Sequence, residues 1–242
     1  MFEPAKIELT PIEKEVGHLL QKAGYYLQTY RSIDALSILK NALELVENND
    51  IQWRIKSAVY KDNGQAHVLM GHIVEGLKFF IRSFEISEDG NDKAAIASII
   101  AGYFLRNGDS QKAAEYAEKA IQTATAPELL CSPYHILGGI AEIEENFLSA
   151  IELMNIAAEL AEKSHSLTDL GMIIMDLSII FIKLGKPETA LSEICRAERY
   201  IKECRNLDLF MRCNIRKAKI LYTMGKDEEA KSLIYALDEH RN

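Results

Sequence analysis

The feature that most constrains this chain is a register of small residues. Ala35, Gly76, Ala113, Ala150, Ala190 and Ala230 follow one another at spacings of 41, 37, 37, 40 and 40. Seven residues after each stand Ala42, Ser83, Ala120, Ala157, Ala197 and Leu237, five of the six small. Seven residues are about two helical turns, so each pair shares a helix face, and short side chains there let another helix come close. Five residues before each anchor stand Tyr30, Gly71, Gly108, Glu145, Gly185 and Gly225, four of them Gly. Gly admits the left-handed backbone that stops a helix. The register therefore predicts a repeated unit of helix, tight turn and second helix.

Residues 181–197, F-I-K-L-G-K-P-E-T-A-L-S-E-I-C-R-A, show the unit most fully. Phe181 ends an apolar stripe, Gly185 stops the first helix, and Pro187 suits the first turn of the next. A lone hairpin cannot bury both faces, whereas stacked hairpins share a continuous core. The expected fold is all-α, a right-handed α-α superhelix of about six helix hairpins forming a single domain over residues 1–242. Residues 1–11 are a lead-in, and the repeats fall at about 12–47, 51–87, 93–123, 132–163, 167–203 and 207–241.

Local signals set the boundaries. Thr10, Pro11 and Glu13 read as a cap, a first helical Pro and the third residue of a capping box. Ser32 is expected to cap the second helix. Residues 88–92 read as a loop, and Ser132–Pro133 as a second cap-then-Pro start. With 48% hydrophobic residues, 26% charged and only 5 Pro, the composition suits a helical globular protein. A net charge of -8 argues against a general nucleic-acid binder. Cys131, Cys195, Cys204 and Cys213 form no C-x-x-C pair or zinc spacing, which points to free thiols in a reducing cytoplasm. The N-terminus has no basic start followed by an apolar core, so no signal peptide is expected. The greasiest run, residues 170–182, is broken by Asp176 and is shorter than the about 20 residues of a membrane span.

The residues resemble the tetratricopeptide repeat family. Repeat four places Tyr134, Leu137, Gly138, Ala150, Met154 and Ala157 at that family's positions. Repeat five places Leu177, Phe181, Ala190, Ile194 and Ala197, and repeat two Tyr60, Gly64, Gly71, Gly76 and Phe80. The period near 40 exceeds the family's about 34, as in long-helix members among bacterial regulators and signalling scaffolds. The aromatic place holds His67, Ala141 and Leu221 in repeats two, four and six.

The resemblance implies that the first helix of each repeat lines a concave groove. Positions carried over to that groove include Lys61, Gln65, Ser98, Arg106, His135, Glu142, Met175, Ile179, Ile182, Lys183, Arg212 and Lys219. Five of the groove residues are basic and only Glu142 is acidic, inside a chain of -8. The groove is thus expected to hold an extended or helical protein or peptide segment of acidic and apolar character. The fifth repeat's first helix is apolar nearly all round, as in a helix covered on every side. Alternatively its Met172, Met175 and Ile182 form an adaptable apolar floor. Leu20 and Gly24, and then Ser98 and Gly102, occupy places where chaperone-binding members carry a carboxylate clamp, so no such clamp is expected.

No nucleophile–base constellation, phosphate loop or metal spacing appears, so no enzyme, no cofactor and no metal are expected. His18, His67, His72, His135, His165 and His240 are scattered. At the other end, Leu233, Ile234 and Leu237 of the last helix have no seventh hairpin to cover them. That surface is expected to meet a partner, a second copy in a homodimer, or a downstream domain. Two functions compete: a non-enzymatic scaffold or adaptor, and a sensory or regulatory input module of a signalling system.

Overall fold

The structure, a computed structural model, describes residues 8–239, with side chains to residue 236. Among the described residues it holds twelve α-helices. They are α1 (Pro11–Gln28), α2 (Ser32–Asn48), α3 (Trp53–Leu69), α4 (Ile73–Ile86), α5 (Gly90–Arg106), α6 (Ser110–Thr123), α7 (Cys131–Ile143), α8 (Phe147–Lys163), α9 (Leu167–Lys183), α10 (Pro187–Glu203), α11 (Leu207–Thr223) and α12 (Asp227–Glu239). A short 3-10 turn, Pro127–Leu130, precedes α7. The expected helices are thus present to within a few residues at each end.

The six turn positions of the register, Tyr30, Gly71, Gly108, Glu145, Gly185 and Gly225, all have positive φ, between 57° and 82°. After α9, the Lys186 N–H donates to the Phe181 carbonyl at 2.8 Å and the Gly185 N–H to Ile182 at 2.9 Å. These two bonds satisfy carbonyls that the helix end would otherwise orphan. The same pair closes α3, α7 and α11. Tyr30 and Glu145 adopt the turn without Gly, at a backbone cost of about 1–2 kcal/mol.

The small residues lie on the helix-to-helix seam. Ala35, Ala42, Ser83, Ala113, Ala120, Ala150, Ala157, Ala190, Ala197 and Ala230 are all fully buried. One very close approach is in α3/α4. A Cβ on Gly76 would stand 2.6 Å from Val68 Cγ2 and 2.8 Å from the Gly64 carbonyl oxygen. In that hairpin the two backbones are in contact, and a side chain at either Gly has no room.

Several starts differ from the sequence expectation. The capping box at Thr10 and Glu13 forms, with Glu13 Oε2 accepting from the Thr10 N–H at 2.8 Å. Its other oxygen accepts from the Gln52 N–H at 3.1 Å, tying the start of α1 to that of α3. Ser32, however, is not a cap: it is the first residue of α2 and makes no capping bond. Ser132 is likewise inside α7, because the 3-10 turn runs directly into that helix. Pro133 is tolerated there, since first-turn N–H groups have no helical partner to lose. The 88–92 loop is shorter than expected, because Asp89 caps α5 by accepting from the Asn91 and Asp92 N–H groups at 2.9 and 3.0 Å.

The described chain divides into two compact units. The first runs to Gly108 and includes Gln122–Thr125, and the second takes Asp109–Ile121 and continues from Ala126. The first unit's core has two clusters. Val16, Ala42, Val46, Ile51 and Val59 form one, and Ala23, Leu27, Ala35, Leu39 and Ala66 the other. The second unit is organised around α9, whose Ile173, Ile174, Met175, Leu177 and Ile180 pack with Met154, Ile194, Ile201, Leu209 and Ile220.

Candidate functional site

In the second unit α7, α9 and α11 are the first helices of three successive hairpins. α9 touches both α7 and α11. Polar side chains join the three. His135 Nε2 on α7 lies 2.9 Å from Asp176 Oδ2 on α9. The other oxygen, Asp176 Oδ1, accepts from the Arg216 guanidinium on α11. Further along, Lys183 on α9 pairs with Glu142 on α7. Burial opposes ionisation of Asp176, but the hydrogen bond and charge of His135 and the Arg216 guanidinium outweigh it. Its carboxyl is held below the ordinary carboxylate value.

Beside this network a cleft of about 390 Å³ opens between α9 and α11. Ser178, Ile179, Ile182, Arg216, Lys219, Ile220 and Thr223 line it. Its wall is chiefly apolar, and Lys219 stands exposed at its rim. Among the described residues neither Lys219 nor Arg212 makes an ion pair. The cleft therefore offers an aliphatic slot beside an unpaired cation, a combination suited to an apolar side chain next to a carboxylate.

The expected site residues are placed as follows. Ile179 and Ile182 line the cleft with Lys219, and Arg212 is exposed about two turns before Lys219 on α11. His135 and Glu142 are taken up by Asp176 and Lys183, so Lys183 is not the free cation that the sequence suggests. Met172 is half-buried at the edge of the α9 core. Met175 is only 1% exposed and belongs to that core, so it cannot serve as a surface floor. Its register place faces inward because α9 is packed on nearly every side.

In the first unit Lys61 and Gln65 are exposed on α3. Ser98 is buried in α5, where its hydroxyl donates to the Ala94 carbonyl at 2.9 Å, so it presents no group to a ligand. Arg106 is exposed, its guanidinium 5.0 Å from the Tyr103 ring centroid. On α12, Leu233 and Ile234 pack partly against Ala218, Leu221 and Ala230, so they are less bare than expected. The side chain of Leu237 and the whole of His240 lie outside the described residues.

Asp176 and Arg216 are absent from the sequence-derived set. A usable signal was present, since Asp176 is a lone charge within an apolar run. It stands 41 residues after His135 and 40 before Arg216, one repeat period from each. Among the described residues no group of three or more His, Cys, Asp and Glu is arranged to hold a metal ion. No helix among them is long and apolar enough to cross a membrane.

No protein-family model matches the sequence, and no curated protein is a significant match to it. Solved structures do match. The signal transduction ATPase with a tetratricopeptide repeat sensor from Pyrococcus horikoshii is 17% identical, with a TM-score of 0.73 over 96% of this chain and 37% of that one. BtubC from P. vanneervenii is 17% identical, with a TM-score of 0.68 over 81% of this chain and 83% of that one. A Rap protein complexed with competence and sporulation factor is 12% identical, with a TM-score of 0.65 over 94% of this chain and 76% of that one. At these identities the likeness shows the fold. The chain has the all-α fold of the tetratricopeptide-type helical solenoids.

Proposed function

We propose that the chain is a non-enzymatic protein- or peptide-binding scaffold whose α9–α11 cleft holds an acidic, apolar segment of its partner. One observation carries this reading: the aliphatic wall of Ile179, Ile182 and Ile220 stands beside the unpaired Lys219. The Asp176 network supports it from behind. Arg216 is fixed by Asp176, so the cleft wall is held in one arrangement before any ligand arrives, which reduces the ordering cost of binding. The four cysteines are free thiols, in keeping with a reducing cytoplasmic setting.

A sensory role is the second reading, favoured by two of the structural likenesses. The Rap protein is complexed with a competence and sporulation factor, and the P. horikoshii protein carries a repeat sensor. In that reading the segment in the cleft is a signal and the chain an input module. Fold alone does not choose between the two readings, because ligands are set by the site.

A displayed library of short peptides, selected on the intact chain, tests the proposal. Selected sequences should be enriched in Asp or Glu next to Ile, Val or Leu. Ile182→Asp with Lys219→Glu should abolish that enrichment while leaving helical content intact. Enrichment that is basic, or unchanged in the double variant, would contradict the assignment of the cleft.

A further inference from the structure

We propose that Asp62 on α3 receives an arginine side chain from a partner segment, a binding site in the first unit separate from the α9–α11 cleft. Asp62 and Asp176 hold the same place in the register, each 14 residues before its seam residue. In the second unit that place is a completed cation site. Asp176 is met by His135 from the preceding repeat and by the Arg216 guanidinium from the following one. The first unit has the acceptor without the donors. Leu20 on α1 stands at the place of His135, and Ile99 on α5 at the place of Arg216. Asp62 is half-buried, and among the described residues it makes no ion pair or hydrogen bond.

The unit's own cations do not fill the vacancy. Lys61 is the next residue along α3, and successive helical residues do not face each other. Arg106 stands seven residues beyond Ile99 on α5, about 10 Å along the helix. It is turned onto its own helix, where its Nε donates to the Gly102 carbonyl at 3.3 Å and its guanidinium lies 5.0 Å from the Tyr103 ring centroid. A half-buried carboxylate without a partner costs stability. Its effect is visible in the Asp62 carboxyl, which burial pushes above its ordinary value. A local departure of this kind, in a register that elsewhere supplies the partner, is characteristic of a functional position.

The surroundings identify the occupant. On α1, one turn after Leu20, a Cβ built on Gly24 would meet nothing within 4 Å, so that wall is open. On α5 the place of the second unit's Lys219 is held by Gly102, which has no side chain. Gln65, three residues after Asp62, shares its helix face and is exposed. Its amide oxygen is a second acceptor beside the carboxylate. Two acceptors side by side suit the planar fork of a guanidinium better than the point charge of an ammonium. Arg216 on Asp176 is the same pairing made within the chain. In the first unit the guanidinium comes from outside.

A displayed library of short peptides, selected in parallel on the intact chain and on its Asp62→Asn variant, tests the proposal. Peptides recovered from the intact chain alone should share an Arg. Replacing that Arg by citrulline, which keeps the shape and removes the charge, should weaken binding at least about tenfold, the scale of one charge-assisted hydrogen bond. Asp62→Asn should be at least as stable as the wild type in urea, so its lost binding is not lost folding. Ile99→Arg carries the test without touching Asp62: it supplies the missing donor from α5 and should close the site to the same peptides. No Arg enrichment, equal binding of the citrulline peptides, or full binding to Asp62→Asn or Ile99→Arg would each overturn the proposal. The cleft between α9 and α11 is untouched by these variants, so peptide binding there stands or falls separately.

Discussion

Hairpins α3/α4 and α9/α10 share one register and part company over an aspartate. Asp62 and Asp176 each stand 14 residues before the seam residue, Gly76 in one and Ala190 in the other. Burial pushes both carboxyls up. For Asp62 only the adjacent Lys61 opposes it, and the carboxyl stays above its ordinary value. For Asp176 the His135 hydrogen bond and the Arg216 guanidinium prevail, and it falls below. One repeat away from Asp176 stand those two partners, whereas the corresponding places around Asp62 hold Leu20 and Ile99. The register decides where a side chain sits, and the neighbouring repeats decide what its charge does there.

The largest test of this comparison is the seam itself. Gly76→Leu should lower unfolding stability by about 3 kcal/mol and Ala190→Leu by about 1–3 kcal/mol, measured by urea denaturation. The order follows from Gly76 having no room even for a Cβ. An unchanged stability for Ala190→Leu would break the shared register.

Next come the aspartates, for which opposite signs are expected. Asp176→Asn removes the charge-assisted bonds to His135 and Arg216 and should cost about 1–2 kcal/mol near neutral pH. Because the folded value lies below the unfolded one, this contribution is complete above the ordinary carboxylate value. It is lost as pH falls through the folded value, so wild type and variant should converge in acid. Asp62→Asn should instead stabilise by up to about 0.5 kcal/mol at neutral pH. Its folded value is raised, so the penalty is present above that value and is relieved as pH falls toward the unfolded one. Equal signs for the two variants would show that register alone sets the charge.

The turns sharpen the comparison on a similar small scale. Glu145 holds φ 59° without being Gly. Glu145→Gly should raise stability by about 0.5 kcal/mol, the relief of strain being partly offset by the greater freedom of Gly in the unfolded chain. Gly185→Glu, the reverse change in the next hairpin, should lower it by a similar amount.

Most of the fold was legible in the sequence because it depends on residues that repeat. Small seam residues and turn positions recur at one period, and each hairpin closes with local hydrogen bonds. The misplaced starts at Ser32 and Ser132 have a different cause. A Ser next to a helix start is a cap only if its backbone stays outside the helix, and here both are inside it. The site was less legible. Groove positions carried over from a resemblance include Ile179, Ile182 and Lys219, which line the cleft between α9 and α11. They also gave Met175 and Ser98, which are buried, and passed over Asp176 and Arg216. Whether a groove side chain is free depends on ion pairs between repeats, such as Lys183 with Glu142, and these are visible only once the helices are side by side.

The central claim is that Lys219, beside the aliphatic cleft, reads a carboxylate on the bound segment. A double-mutant cycle by calorimetry measures it directly, pairing Lys219→Ala with replacement of the acidic residue of a selected peptide by its amide. A favourable coupling of about 0.5–3 kcal/mol between the two changes is the predicted result. Strictly additive losses, with no coupling, would place the carboxylate elsewhere and contradict the account.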